Sequence, residues 1–123
     1  MRTKVFCQGE TILEYHELLA HAPAIDWVGS SGTVRTLQGL DTIPKDSFGR
    51  FSTADLQPFI ENLRQCTTTQ ITEIRGIDPR RADIILSGCL ILDAVTESLG
   101  GEYIRASRFS LRHGLLEQFV EQL

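Results

Sequence analysis

Apolar positions along this chain fall into short runs at helical spacing separated by turn signals, and the longest run lies in DPRRADIILSGCLILDAVTESLG, residues 78–100. Asp78 is a strong helix N-cap, Pro79 sits where a first turn tolerates a missing N–H, and Gly100 with Gly101 supplies a left-handed stop. Ile85, Gly88, Leu92, Val95 and Leu99 recur at spacings of three and four, so the pattern predicts one helix over 78–100. Ile84, Leu86, Leu90 and Ile91 lie off that stripe. The middle of the helix is therefore apolar nearly all round and is expected to be covered by protein on most sides. It does not read as a membrane span, because Asp83 and Asp93 bracket too few apolar residues for the roughly 20 that a bilayer needs.

The other elements follow in order. Lys4, Val5 and Phe6 predict a short strand within 3–7. Ile12, Tyr15, Leu18 and Leu19 predict a helix starting at a Thr11/Glu14 capping box and ending near His21, before Pro23. Residues 24–28 read as a strand running into the glycine turn Gly29-Ser30-Ser31-Gly32-Thr33, with a helix over 34–38 behind it. Residues 39–52 read as loop. Thr53 is placed to cap a helix carrying Leu56, Phe59, Ile60 and Leu63, with Pro58 removing a hydrogen bond near its start. Thr67 or Thr68 caps a short helix holding Ile71 and Ile74 and closed by Gly76. Residues 103–107 read as a strand, and Ser110 caps a last helix with Leu111, Leu115, Phe119 and Val120. Two or three strands among about six helices predict a single α/β domain built on a small sheet, with the strand order left open.

Composition narrows the function classes. The chain has 123 residues, enough to bury a core, and 41% hydrophobic with 23% charged residues marks a globular rather than a disordered chain. A net charge of −4 without any Lys/Arg-rich block gives no general attraction to nucleic acid or to an anionic membrane. An anionic ligand would have to be bound by local geometry. Cys7, Cys66 and Cys89 are widely spaced and odd in number, which speaks against a disulfide framework and a structural metal site and favours reduced thiols in a cytoplasmic protein. Arg2 and Lys4 have no apolar stretch behind them, so the start does not read as a signal peptide.

Three segments in order, VGSSGTVRTL (28–37), GIDPRRADIILSGCLILDAV (76–95) and IRASRFSLRHGLL (104–116), resemble the exopolyphosphatase and guanosine-pentaphosphate phosphatase family, Ppx/GppA. The corresponding family pieces are a GSSGT-type turn, an R-A-D-hydrophobic helix and an S-x-x-x-L-R-E-G segment. The resemblance implies a lobe of the actin-like, ribonuclease H-like α/β architecture. It implies Mg²⁺-assisted hydrolysis of a terminal phosphoanhydride of polyphosphate or guanosine pentaphosphate for a parent enzyme. The family's first-lobe phosphate segment, its catalytic carboxylate and its D-x-G-G-G-S segment do not occur in this sequence. The expectation is therefore a C-terminal piece of a second lobe, without turnover on its own and binding no metal by itself. The competing expectation is a non-catalytic nucleotide- or protein-binding module derived from that lobe, or a homodimer formed through an uncovered surface.

The candidate phosphate-binding residues are Gly29, Ser30, Ser31, Gly32 and Thr33. Glycines let the backbone approach a ligand, and the helix start behind them offers unpaired N–H groups. The alternative is a structural turn capped by Ser31 or Thr33; no Lys follows in P-loop register. Arg112 and His113 take the family's R-E positions and are candidate ligand contacts, although His113 is expected to complete a capping box with Ser110 poorly. Arg80 and Arg81 oppose the dipole of the helix they begin, so an acidic neighbour or an anionic ligand must hold them. Cys89, inside the apolar run, reads as an unreactive core residue.

Overall fold

A computed structural model of the chain describes residues 27–123. The strand expected within 3–7, the helix expected from Thr11 and the first residues of the strand expected over 24–28 lie outside the described residues. Strand β1, Trp27–Gly29, leads through the glycine turn into helix α1, Gly32–Gly39. Strand β2 is Phe51–Ser52, helix α2 is Leu56–Arg64, helix α3 is Thr68–Thr72, helix α4 is Ile85–Leu99, strand β3 is Tyr103–Ala106 and helix α5 is Leu111–Glu121.

The three strands form one sheet in the order β1-β3-β2. β3 pairs parallel with β1 (Trp27 opposite Ile104, Gly29 opposite Ala106) and antiparallel with β2 (Phe51 opposite Ile104). Trp27, Ile104 and Phe51 thus share one face. Phe51 and Ile104 are buried there with Val34 and Leu37 of α1, Leu56, Ile60 and Leu63 of α2, and Ile85 and Cys89 of α4, while Trp27 packs half-buried against them. Val28 and Tyr103 point to the other face and are exposed. β2 falls inside 39–52, which the sequence pattern read as loop; two residues carry no visible alternation, and pairing to β3 defines the strand.

Two helix starts differ from the sequence expectation. Ser52, not Thr53, is the cap: its hydroxyl accepts from the Ala54 N–H, and a 3₁₀ turn, Thr53–Asp55, leads into α2. Thr53 instead donates its hydroxyl to the Gly101 carbonyl at 2.8 Å, tying the helix entry to the turn that leads into β3. Pro58 lies in the first turn of α2, where its missing N–H removes no intrahelical bond.

The long run at 78–100 is not one helix. Asp78 caps a separate 3₁₀ turn, Pro79–Arg81, and α4 begins only at Ile85. Backbone bonds over this stretch close at three residues, from Arg81 to Asp78 (2.8 Å) and from Ile84 to Arg81 (3.0 Å), before Gly88 to Ile84 (3.0 Å) sets the α register. The physical reason lies in burial: Ala82 and Ile85 are both in the core, and a tight turn aligns side chains three apart. Gly100, at φ 76°, ends α4 as expected. Coverage of α4 is also less than its composition suggests, because Ile84 and Ile91 remain 52% and 57% exposed.

Candidate functional site

Parallel pairing sets the site. The C-terminal ends of β1 and β3 lie on the same edge of the sheet, and the Ser107 N–H donates to the Gly29 carbonyl at 2.8 Å. Two helices issue from that edge, α1 behind the glycine turn and α5 behind residues 107–110. Ligands of α/β sheets bind outside the carboxyl ends of parallel strands.

Ser31 is the N-cap of α1. It is extended, its hydroxyl accepts from the Val34 N–H at 3.3 Å, and its carbonyl accepts from the Arg35 N–H at 3.2 Å. The N–H groups of Gly32 and Thr33 at the helix start have no intrahelical acceptor. Val34 and Leu37, buried in the core, fix the helix in place. Thr33 packs against Gly88 of α4, where a Cβ would run into the threonine hydroxyl. A Cβ on Gly32 would coincide with the guanidinium of Arg81.

The two arginines of the 3₁₀ turn therefore part company. Arg80 reaches outward to Asp78, with 2.8 Å between Nη2 and Oδ2, and its side-chain and backbone hydrogen bonds hold the Asp78 carboxyl down at about 2. Arg81 lies over the first residue of α1, and no ion pair holds it among the described residues. A guanidinium placed at the positive end of a helix adds to the attraction for an anion there, although the Asp78 carboxylate lies near enough to feel its charge. Sequence reasoning treated Arg80 and Arg81 as one pair. The signal that separates them is Pro79, whose 3₁₀ turn sends successive side chains in different directions.

At the second helix start, His113 does complete the capping box, contrary to the sequence expectation: its Nδ1 accepts from the Ser110 N–H at 3.0 Å. An imidazole nitrogen at N3 reaches as far back as a Glu carboxylate would. The His113 ring also meets the Phe109 ring edge-on, with 5.6 Å between centroids. Arg112 is exposed on the first turn of α5. Among the described residues, no hydrogen bond or ion pair joins Arg112 or His113 to the glycine turn, so the structure brings Arg81 to it and not these two. Among the same residues, no three His, Cys, Asp or Glu side chains gather to hold a metal ion, and no helix is long and apolar enough to cross a membrane.

A model of the Ppx/GppA phosphatase family matches residues 9–123. A provisionally named exopolyphosphatase of Haemophilus influenzae is 29% identical over 89 residues, covering 72% of this chain and 28% of that protein. Among solved structures, an Aquifex aeolicus member of the Ppx/GppA protein family superposes with a TM-score of 0.67 at 21% identity, over 94% of this chain and 42% of the other. An exopolyphosphatase from Cytophaga hutchinsonii superposes with a TM-score of 0.61 at 20% identity, over 94% of this chain and 43% of the other. The chain thus spans less than half the length of these relatives, and it shares the α/β fold of the two solved proteins.

Proposed function

The chain belongs to the Ppx/GppA phosphatase family, and from that premise we propose that it contributes the phosphate-binding turn of a cytoplasmic phosphoanhydride hydrolase acting on polyphosphate or guanosine pentaphosphate. The observation that carries this reading is the Arg81 guanidinium packed over Gly32 at the start of α1, on the carboxyl edge of two parallel strands. There the first-turn N–H groups and Arg81 bind equatorial phosphate oxygens, while Ser31 and Thr33 hold the turn in shape. The chain positions a phosphate group; in-line attack of water on it needs a general base. The D-x-G-G-G-S segment is absent from the sequence. The described residues also offer no cluster for Mg²⁺, which would have to be held elsewhere. The chain alone is therefore inactive in this reading.

The test is calorimetric titration of the purified chain with tripolyphosphate, beside a phosphate-release assay. Tripolyphosphate should bind, Arg81→Ala should weaken binding about tenfold or more, as loss of a charge-assisted hydrogen bond does, and no phosphate should be released. Equal binding by Arg81→Ala, or phosphate release that is lost on mutating Gly32, would overturn this reading. A second reading, a non-catalytic interaction module or a homodimer, draws on α5, where Leu111, Leu115, Leu116, Phe119 and Val120 are all exposed.

A further inference from the structure

Every residue of α5 is exposed. At about 100° per residue, Leu111, Leu115, Leu116, Phe119 and Val120 fall on one half of its circumference, with Arg112 in their midst. A helix of 11 residues with nothing to bury that half against is marginal in water. Its charges add to the cost. Arg112 stands in the first turn and has no hydrogen-bond or ion-pair partner among the described residues. Glu121 closes the helix, with Glu117 one turn before it, and the last turn holds no basic residue. A helix carries partial positive charge at its start and partial negative charge at its end, so these charges sit at the ends that their own helix dipole disfavours.

The same placement suits an antiparallel neighbour. We propose that α5 pairs antiparallel with α5 of a second copy of this chain, apolar half to apolar half, about a two-fold axis near residue 116. Each Arg112 then lies at the negative end of the opposite helix, and each acidic end lies at a positive helix start. Parallel pairing would instead set Arg112 beside Arg112 and Glu121 beside Glu121. Closed two-fold pairing of one patch with itself is the commonest way identical chains meet. The helix is only about 16 Å long, so the pairing buries less than the roughly 800 Å² a side of a standard interface, and the dimer comes apart on dilution. This surface is separate from the glycine turn and does not depend on what the turn binds.

Sedimentation of the full 123-residue chain across a dilution series from millimolar to micromolar tests this. The wild type should pass from dimer to monomer. Arg112→Glu should weaken pairing about tenfold or more, because the reversal acts at both ends of the symmetric pair. A carboxylate in the first turn favours the isolated helix, so a dimer lost with unchanged circular dichroism is not a lost fold. Under oxidising conditions Leu116→Cys, at the midpoint, should link to its own copy as a disulfide, whereas Leu111→Cys, at opposite ends of the pair, should not exceed the wild-type background. A chain monomeric at every concentration, an Arg112→Glu chain that pairs as well as wild type, or Leu111→Cys linking as readily as Leu116→Cys overturns the proposal.

Discussion

Cys89 has no solvent exposure, and burial pushes its thiol up to about 12. A thiol reacts as thiolate, so Cys89 should resist alkylation in the native chain at pH 8 and react on unfolding, whereas half-buried Cys66, whose thiol reaches only the Asn62 carbonyl, serves as the accessible control. The same shift fixes a pH dependence. In the unfolded chain the thiol ionises near about 8.5, so between that value and 12 only the unfolded state gives up the proton. Stability is therefore intact below about pH 8.5 and falls as pH rises, by up to about 1.4 kcal/mol per pH unit from this group. Urea denaturation of the wild type and Cys89→Ala at pH 8 and pH 10 measures it; a pH dependence equal in both would contradict the assignment. The burial of Cys89 was legible from its place in an apolar run. The separation of Arg81 from Arg80 was marked only by Pro79, which the sequence pattern read as the first position of one continuous helix.

α1 and α4 meet where Thr33 faces Gly88, and the contact is close enough that the glycine has a packing role. Replacing a glycine inside a helix with alanine ordinarily stabilises by about 0.5–1 kcal/mol. Here the added methyl meets the Thr33 hydroxyl and lies 3.2 Å from its Cβ, and overpacking costs about 1–3 kcal/mol. Gly88→Ala should therefore lower stability by about 1 kcal/mol, seen as a lower urea midpoint, and Thr33→Ala on top of it should recover part of the loss. A Gly88→Ala chain more stable than wild type would show that the helices do not meet this way. At this scale the sequence left Thr67 or Thr68 as the cap of α3, and the structure selects Thr67, which forms a reciprocal capping box with Gln70, with bonds of 3.2 and 2.8 Å. Element boundaries set by tertiary contacts were not readable, as with Thr53, whose hydroxyl serves the turn that leads into β3, and with the 3₁₀ entry to α4, which exists to bury Ala82 beside Ile85.

At the scale of the molecule, burial among the described residues is one-sided. The core lies between one face of the sheet and α1, α2 and α4, while α5 presents Leu115 at 56% and Phe119 at 60% exposure. Side chains that pack against nothing contribute nothing to fold stability, so Leu115→Glu with Phe119→Glu should change the unfolding free energy by less than about 0.5 kcal/mol. If the exposed face pairs two copies, the double variant should sediment as a monomer under conditions where wild type does not; unchanged sedimentation removes the homodimer reading. The α/β class was legible because each helix carries its own periodicity. Two of the described strands, β1 and β3, were legible as well, but β2 was not, since it is two residues long and acquires its identity only from β3, and the strand order could not be read.

That partner, β3, is the middle of the three described strands and the last of the three to be made. As the protein leaves the ribosome, β1 and β2 emerge with nothing to pair with, and they stay open until residues 103–106 arrive between them. Vectorial synthesis thus delays these two pairings until residue 106 is out, leaving Trp27 and Phe51 without their cover in the interval. Such a late closure over long sequence separation is slow and leaves unpaired strand edges open to aggregation in the interval.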